Sequence, residues 1–310
     1  MDYFTLNKVN LIGDAAIPVG ALGEIYLQNT LLDTNKLRDS NSLKLTFPWL
    51  SKATLTIDCA ISIVNIYNIN GAFNYFHWIN DSILLLEAWH NYIKRTGVTP
   101  FVVVPDTMNQ VQNEILQELK VPSEKLISWN NSKYRVNTLI VFSTNRTPQK
   151  PMDILHTGSY RWLKNCLIEK VKNKAYSFEN VFISRKKASG RKFVNEATFQ
   201  QWLLLNEIEE VVLEDFSFLE QLSIFYSAKR IYGPHGAGFT NIFMCKPGSK
   251  VIEIFGNPPN SYTEYFRLAT QFKLNYFACL MKYIPIKGVG SRYYQEIDLV
   301  FDESRLPSLN

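Results

Sequence analysis

From Asn180 to Leu280 the chain alternates between short β-branched runs and amphipathic stretches. "NVFISR" (180–185), "EEVVLED" (209–215), "RIYGP" (230–234), "KVIEIF" (250–255) and "NYFACL" (275–280) read as strands bounded by turn formers. Between them, "NEATFQQWLLLN" (195–206), "SFLEQLSIFYSAK" (217–229) and "SYTEYFRLATQF" (261–272) carry apolar residues at helical spacing. Strands separated by helices cannot close as tight hairpins. They cross over to parallel neighbours, and the helices cover the sheet faces. This half of the chain therefore predicts a doubly wound α/β domain.

A weaker alternation precedes it. "TLTIDCAISIVNIYNI" (54–69) reads as one or two strands and "YFHWINDSILLLEAWHNYIKR" (75–95) as a helix with basic residues in its last turn. "FVVVP" (101–105), "KLISW" (125–129) and "VNTLIVFS" (136–143) read as strands, and "NQVQNEILQEL" (109–119) as an amphipathic helix. "TNRTPQKPMD" (144–153), with two prolines, reads as a linker or long loop, and "SYRWLKNCLIEKVKN" (159–173) as a helix. The first fifty residues give no clear element. The expectation is an α/β protein of two Rossmann-like domains, 1–150 and 151–310, facing each other across a cleft.

Composition sets bounds on function. A chain of 310 residues, 46% hydrophobic and 20% charged, has ample material for a core. Its net charge of +5 suits an anionic substrate or a membrane surface and is too small to imply nucleic acid. Cys59, Cys166, Cys245 and Cys279 lie far apart in apolar flanks, so buried thiols in a reducing compartment are expected. The N-terminus lacks a basic start and an apolar signal core, and no uncharged apolar run reaches the length of a membrane span. A cytoplasmic protein is expected, with peripheral membrane contact left open.

In an open α/β sheet, ligands bind beyond the carboxyl ends of the strands. "SRKK", "LED" and "PHGAG" all fall at such ends. "GAG" before a helix offers bare backbone N–H groups to a diphosphate; the alternative is a tight turn packing helix on strand. As a dinucleotide motif "GAGFTN" (236–241) is imperfect, with Asn241 in place of the third glycine. An esterase oxyanion loop would need a G-x-S-x-G elbow, and the chain has none. Arg185, at a strand end, is expected to grip phosphate, whereas Lys186, Lys187, Arg191 and Lys192 read as a solvated basic loop. His77 and Asp81 share a helix face, as an acid–base pair or as residues at a capped helix start. The histidines show no zinc spacing, and no D-x-D occurs to chelate a divalent cation.

Three segments, "FNYFHWINDSILLLEAW" (73–89), "VFISRKKASGRKFVNE" (181–196) and "GPHGAGFTNIFMCKPGSKVIEIF" (233–255), resemble in order and separation the motif regions of glycosyltransferase family 61. The likeness extends over roughly residues 70 to 305. It implies a GT-B type fold and an inverting, metal-independent transferase with no cofactor besides its nucleotide-sugar donor, UDP being the implied nucleotide. By position, His235, Gly236, Ala237 and Gly238 would line the diphosphate and sugar, Arg185 would neutralise phosphate, and Glu253 would lie near the nucleoside. His77 and Asp81 would serve the acceptor, a glycan or a lipid-linked glycan, and synthesis of a bacterial capsule or other surface glycan fits a chain without a secretory leader. A non-catalytic sugar-nucleotide or glycan-binding module is the alternative.

Overall fold

The computed structural model describes residues 3–12, 16–19, 26–27, 30–31, 52–65, 73–130, 132–142, 157–174, 176, 178–256, 263–286 and 297–308. The chain divides into two compact units, Met1–Leu163 and Lys164–Asn310. The division falls inside the helix Thr157–Lys172, past the expected linker at 144–153, which lies outside the described residues.

The first unit is built on a six-stranded sheet in the order β2-β1-β8-β5-β6-β7. Its strands are β1 (Tyr3–Ile12), β2 (Ile17–Val19), β5 (Leu55–Ser62), β6 (Phe101–Pro105), β7 (Leu126–Trp129) and β8 (Tyr134–Phe142). A separate small ladder joins β3 (Tyr26–Leu27) to β4 (Thr30–Leu31). β8, β5, β6 and β7 run parallel, as the strand–helix alternation predicts, and β1 and β2 extend that sheet antiparallel. Ile57, Ala60, Val103, Trp129, Val136 and Leu139 form a core with Val9 and Leu11 of β1. The helix Gln110–Glu118 begins with a capping box in which Asn109 and Gln112 satisfy each other's backbone N–H groups. Residues 66–69 of the predicted strand region lie outside the described residues.

The second unit holds a five-stranded, wholly parallel sheet. Its strands are β9 (Asn180–Ile183), β10 (Glu209–Val211), β11 (Arg230–Pro234), β12 (Lys250–Phe255) and β13 (Asn275–Leu280), ordered β10-β9-β11-β12-β13. Counted from β9 this is 2-1-3-4-5, the flavodoxin-like doubly wound order. The helices Glu196–Leu205, Phe218–Ser227 and Glu264–Gln271 make crossovers where predicted. One face packs Phe199, Trp202 and Leu203 of the first of these helices against Phe182, Tyr232, Ile252 and Ile254.

A short antiparallel pair, β14 (Lys282–Pro285) and β15 (Ile297–Val300), follows. β15 also clamps the loop after β9. Arg191 N–H donates to Ile297 O (2.6 Å), Val194 N–H to Leu299 O (2.9 Å), and Leu299 N–H to Lys192 O (2.7 Å). Asn195 closes the clamp, accepting from Phe301 N–H at 2.7 Å and donating to Phe301 O at 2.9 Å.

The cysteine expectation needs correction. Cys245 and Cys279 are buried, but Cys59 is half-buried and Cys166 exposed, on a polar face of the helix Thr157–Lys172. Apolar neighbours in sequence point to other sides of a helix and do not bury the thiol between them.

Candidate functional site

In the first unit the strand order reverses at β5, which lies between β8 and β6, so the crevice at the carboxyl ends of β5 and β8 is that sheet's switch point. The helical run that follows β5 is tied to this end. Ser82 Oγ donates to Ile63 O at 2.6 Å, and Asn65 Nδ2 donates to Ser82 Oγ at 2.5 Å. The run opens as one α turn, Tyr75–His77, with Asn74 as its cap. It continues as a π turn over Trp78–Ser82 and a 3-10 turn over Ile83–Leu85, and becomes regular in Leu86–Thr96. Ile83 N–H is shared between Ile79 O and Trp78 O, four and five residues back. The predicted helix is thus present, interrupted by a widened turn of a kind frequent at functional sites.

His77 and Asp81 meet across that turn. His77 Nδ1 lies 2.6 Å from Asp81 Oδ2, and both residues are buried. Asn80 Nδ2 donates to Asp81 Oδ1 at 2.8 Å, and Tyr160 OH donates to Asn80 Oδ1 at 3.2 Å. Capping does not account for the pair, because Asn74 holds the cap position and Asp81 sits within the run. An ionised carboxylate only accepts, so its contact places the imidazole hydrogen on Nδ1 and the basic lone pair on Nε2.

In the second unit the order reverses between β9 and β11. A small recess of about 50 Å³ opens at these carboxyl ends, lined by Ser184 and Arg185 after β9, Leu213 and Glu214 after β10, Pro234 at the end of β11, and Gly236, Gly238 and Phe239 after it. It exceeds one water and is far smaller than pockets that enclose a whole ligand, which run to roughly 300 Å³ and more. Its size and place fit a phosphate-scale anion.

The glycines have a specific cause. Gly236 is extended, with φ 175°, so its backbone suits any residue. A Cβ there would fall on Arg185 Nη1, and one on Gly238 would lie 2.6 Å from Leu213 Cδ1. The bare backbone therefore admits the protein's own guanidinium and leucine at close range. Arg185 Nε donates to Gly190 O at 2.9 Å, which steadies the group. The expected helix after the glycines is a 3-10 helix, Ala237–Met244. Lys164 Nζ donates to Cys245 O at 2.7 Å and Met244 O at 3.2 Å, closing its far end; burial pushes this lysine's pKa down.

His235 begins the loop. Its Nδ1 is bonded to Glu253 Oε1, and Tyr276 OH donates to Glu253 Oε2 at 2.5 Å. The ring stacks on Phe255, with centroids 5.4 Å apart, and lies 5.5 Å from Tyr265. Tyr265 is buried, and burial raises its pKa well above the usual phenol value. Glu253, expected near the nucleoside, is buried on β12 with both oxygens engaged in holding His235 and Tyr276.

Arg191 departs from the sequence expectation. It is not on a solvated loop: only 8% exposed, it donates from Nη1 to His235 O at 2.5 Å. Its burial depends on the clamp by β15, whose partner residues lie over a hundred positions away, and the local sequence carries no such signal. Lys186 and Lys187 behave as expected, as exposed partners of Glu210 and Asp215, and Lys192 is exposed. The structure thus gathers Arg185, His235, Gly236, Ala237, Gly238 and Glu253 in the second unit, and His77 with Asp81 in the first.

The second unit's wholly parallel sheet, with helices between its strands and an arginine and a glycine loop at its switch point, makes this an α/β protein. The chain belongs to the Glycosyltransferase 61 family, whose sequence pattern matches residues 75–252, and is accordingly a glycosyltransferase. Of the eight residues expected from the sequence to form the site, that span contains all but Glu253, one position beyond it. Comparison with curated proteins gives no match. Among the described residues no helix is long and apolar enough to cross a membrane.

Proposed function

We propose that the chain is an inverting, GT-B type transferase that moves a sugar from a nucleoside diphosphate, uridine diphosphate in particular, to a hydroxyl of a glycan or lipid-linked acceptor. Synthesis of a capsule or other surface glycan on the cytoplasmic side is the setting that fits this reading. The observation that carries it is the placement of the Arg185 guanidinium against the bare backbone of Gly236 at the switch point of a parallel sheet.

In this reading His77 Nε2 takes the proton of the acceptor hydroxyl. Asp81, with both oxygens engaged by His77 and Asn80, holds the imidazole and does not act as the base. The acceptor oxygen attacks the anomeric carbon on the face opposite the diphosphate. The bond from that carbon to the diphosphate oxygen breaks, and its electron pair leaves with the diphosphate. Arg185 and the N–H groups of residues 236–238 receive the developing charge, which a divalent cation carries in metal-dependent transferases. Glu253 acts through His235, which it orients toward the same loop.

The test is to incubate the purified protein with a panel of nucleotide sugars and glycan acceptors, with and without a chelator. Transfer with release of the nucleoside diphosphate, undiminished by chelation, is the expected result. Binding of the donor with neither transfer nor slow hydrolysis would make the chain a binding module instead.

A further inference from the structure

The recess at the second switch point has an acidic wall that the reading above leaves unused. The 3-10 turn Leu213–Asp215 follows β10, and Glu214 faces the same recess as Arg185, Gly236 and Gly238. Its neighbour Asp215 is engaged by Lys187. Glu214 is exposed and has no hydrogen bond or ion pair among the described residues.

The turn is held firmly. Buried Gln221 donates from Nε2 to Leu213 O at 2.9 Å and to Phe216 O at 3.1 Å. The amide oxygen of Gln221 accepts in turn from Asn241 Nδ2 at 3.4 Å, on the 3-10 helix that continues the glycine loop. One buried amide bridge therefore fixes the acidic turn and the glycine loop relative to each other. Leu213 O also accepts from Phe216 N–H at 3.1 Å, and an unbonded carbonyl at Phe216 would be costly if buried, so the Gln221 contacts also stabilise the turn.

Charge decides what Glu214 can face. A carboxylate repels phosphate, so in a recess whose other side suits an anion it must meet the neutral, hydroxyl-bearing part of the same ligand. β10 and β11 flank β9, so their ends stand two strand spacings apart, roughly 10 Å. That separation matches the reach from a diphosphate to the ribose hydroxyls of its nucleoside. Two carboxylate oxygens pair naturally with two vicinal hydroxyls, as acidic residues at the second strand of dinucleotide-binding sheets do.

We propose that Glu214 recognises the ribose of the donor, its carboxylate accepting hydrogen bonds from the vicinal 2′- and 3′-hydroxyls of a nucleoside diphosphate. This rests on the donor reading of the recess given above.

The experiment is calorimetric titration of wild type, Glu214→Ala and Arg185→Ala with uridine diphosphate and 2′-deoxyuridine diphosphate. Wild type binds the ribonucleotide at least about tenfold more tightly, as expected for a hydrogen bond to a charged group. Glu214→Ala removes that preference by weakening the ribonucleotide more than the 2′-deoxynucleotide, which has only its 3′-hydroxyl contact to lose, while Arg185→Ala weakens both ligands alike. A preference that survives in Glu214→Ala, or is absent from wild type, overturns the ribose assignment and leaves the donor reading standing. If Glu214→Ala weakens a uridine diphosphate sugar but neither free diphosphate, the carboxylate faces the transferred sugar and the assignment is again overturned. If Arg185→Ala binds both diphosphates as wild type does, the recess does not hold the nucleotide, and both readings fall together.

Discussion

Gly236 and Arg185 compete for one volume: the position a Cβ would take on Gly236 is occupied by the Arg185 guanidinium. The glycine is present because a side chain lies on it, not because the backbone turns left-handed there.

That relationship makes the two residues testable as a unit. Arg185→Ala is expected to lower kcat by on the order of a hundredfold to a thousandfold, the usual loss for one preorganised charge-stabilising group. Gly236→Ala should fold, since the obstructing atoms end a flexible side chain, but it displaces the guanidinium and reproduces most of that loss. The double variant should be no worse than either single one, because coupled residues are not additive. Steady-state kinetics on the three variants check this, and fully additive losses would show that the two act separately.

His77→Ala is expected to lower kcat by roughly a hundredfold to ten-thousandfold, the range for removal of a general base. Asp81→Asn should also reduce kcat, because an amide in place of the carboxylate no longer fixes the hydrogen on Nδ1. Donor affinity should stay at the wild-type value in both, since neither residue lines the donor recess. Titration with the nucleoside diphosphate beside a turnover assay separates the two effects. Full turnover by His77→Ala would move the base elsewhere.

Glu210 gives a pH signature. Burial pushes its pKa up, but hydrogen bonds from Lys186, Gln200 and Ser184 outweigh this and hold it below its ordinary value of 4.5. A carboxyl with a depressed folded-state pKa contributes stability above its unfolded value, and that stability is lost as pH falls through the folded one. Glu210→Gln should therefore lower Tm at pH 7, with the gap to wild type closing as pH drops below about 4.5. Thermal melts from pH 7 to pH 3 read this, and a gap independent of pH would contradict it.

Trp202→Ala should destabilise the second unit by about 3–5 kcal/mol, the usual result of deleting a large buried aromatic. Trp202 packs edge-on against Tyr232 and lies 5.0 Å from the Phe301 ring, so little can collapse into the space it leaves. Denaturant unfolding measures the loss.

The second unit was legible because its signals are local. β-branched runs such as "KVIEIF" and their bounding turns mark buried parallel strands, and all five appear, with β10 shortened to Glu209–Val211 by the turn that carries Glu214. β1 was not legible. It carries Asn7, Lys8 and Asn10, breaks alternation with Lys8 at φ 55°, and owes its place to pairing with a strand some 130 residues later. The helical pattern of residues 75–95 was readable, but its π turn was not, because apolar spacing does not distinguish hydrogen bonds four residues back from those five back. Arg185 and the glycine loop declared themselves by position at strand ends. The "LED" run that holds Glu214 was likewise placed at a strand end, but the burial of Arg191 was not legible, since partners over a hundred positions later determine it.

The clamp made by Ile297, Leu299 and Phe301 gives the stretch around residue 300 a share in the glycine loop. Those three residues pin the segment carrying Arg191, Arg191 grips the carbonyl of His235, and His235 opens the run of bare peptide groups. A lesion near position 300 would thus be felt as slackness in a glycine loop it never touches, with the damage travelling through main-chain bonds and the Arg191 guanidinium.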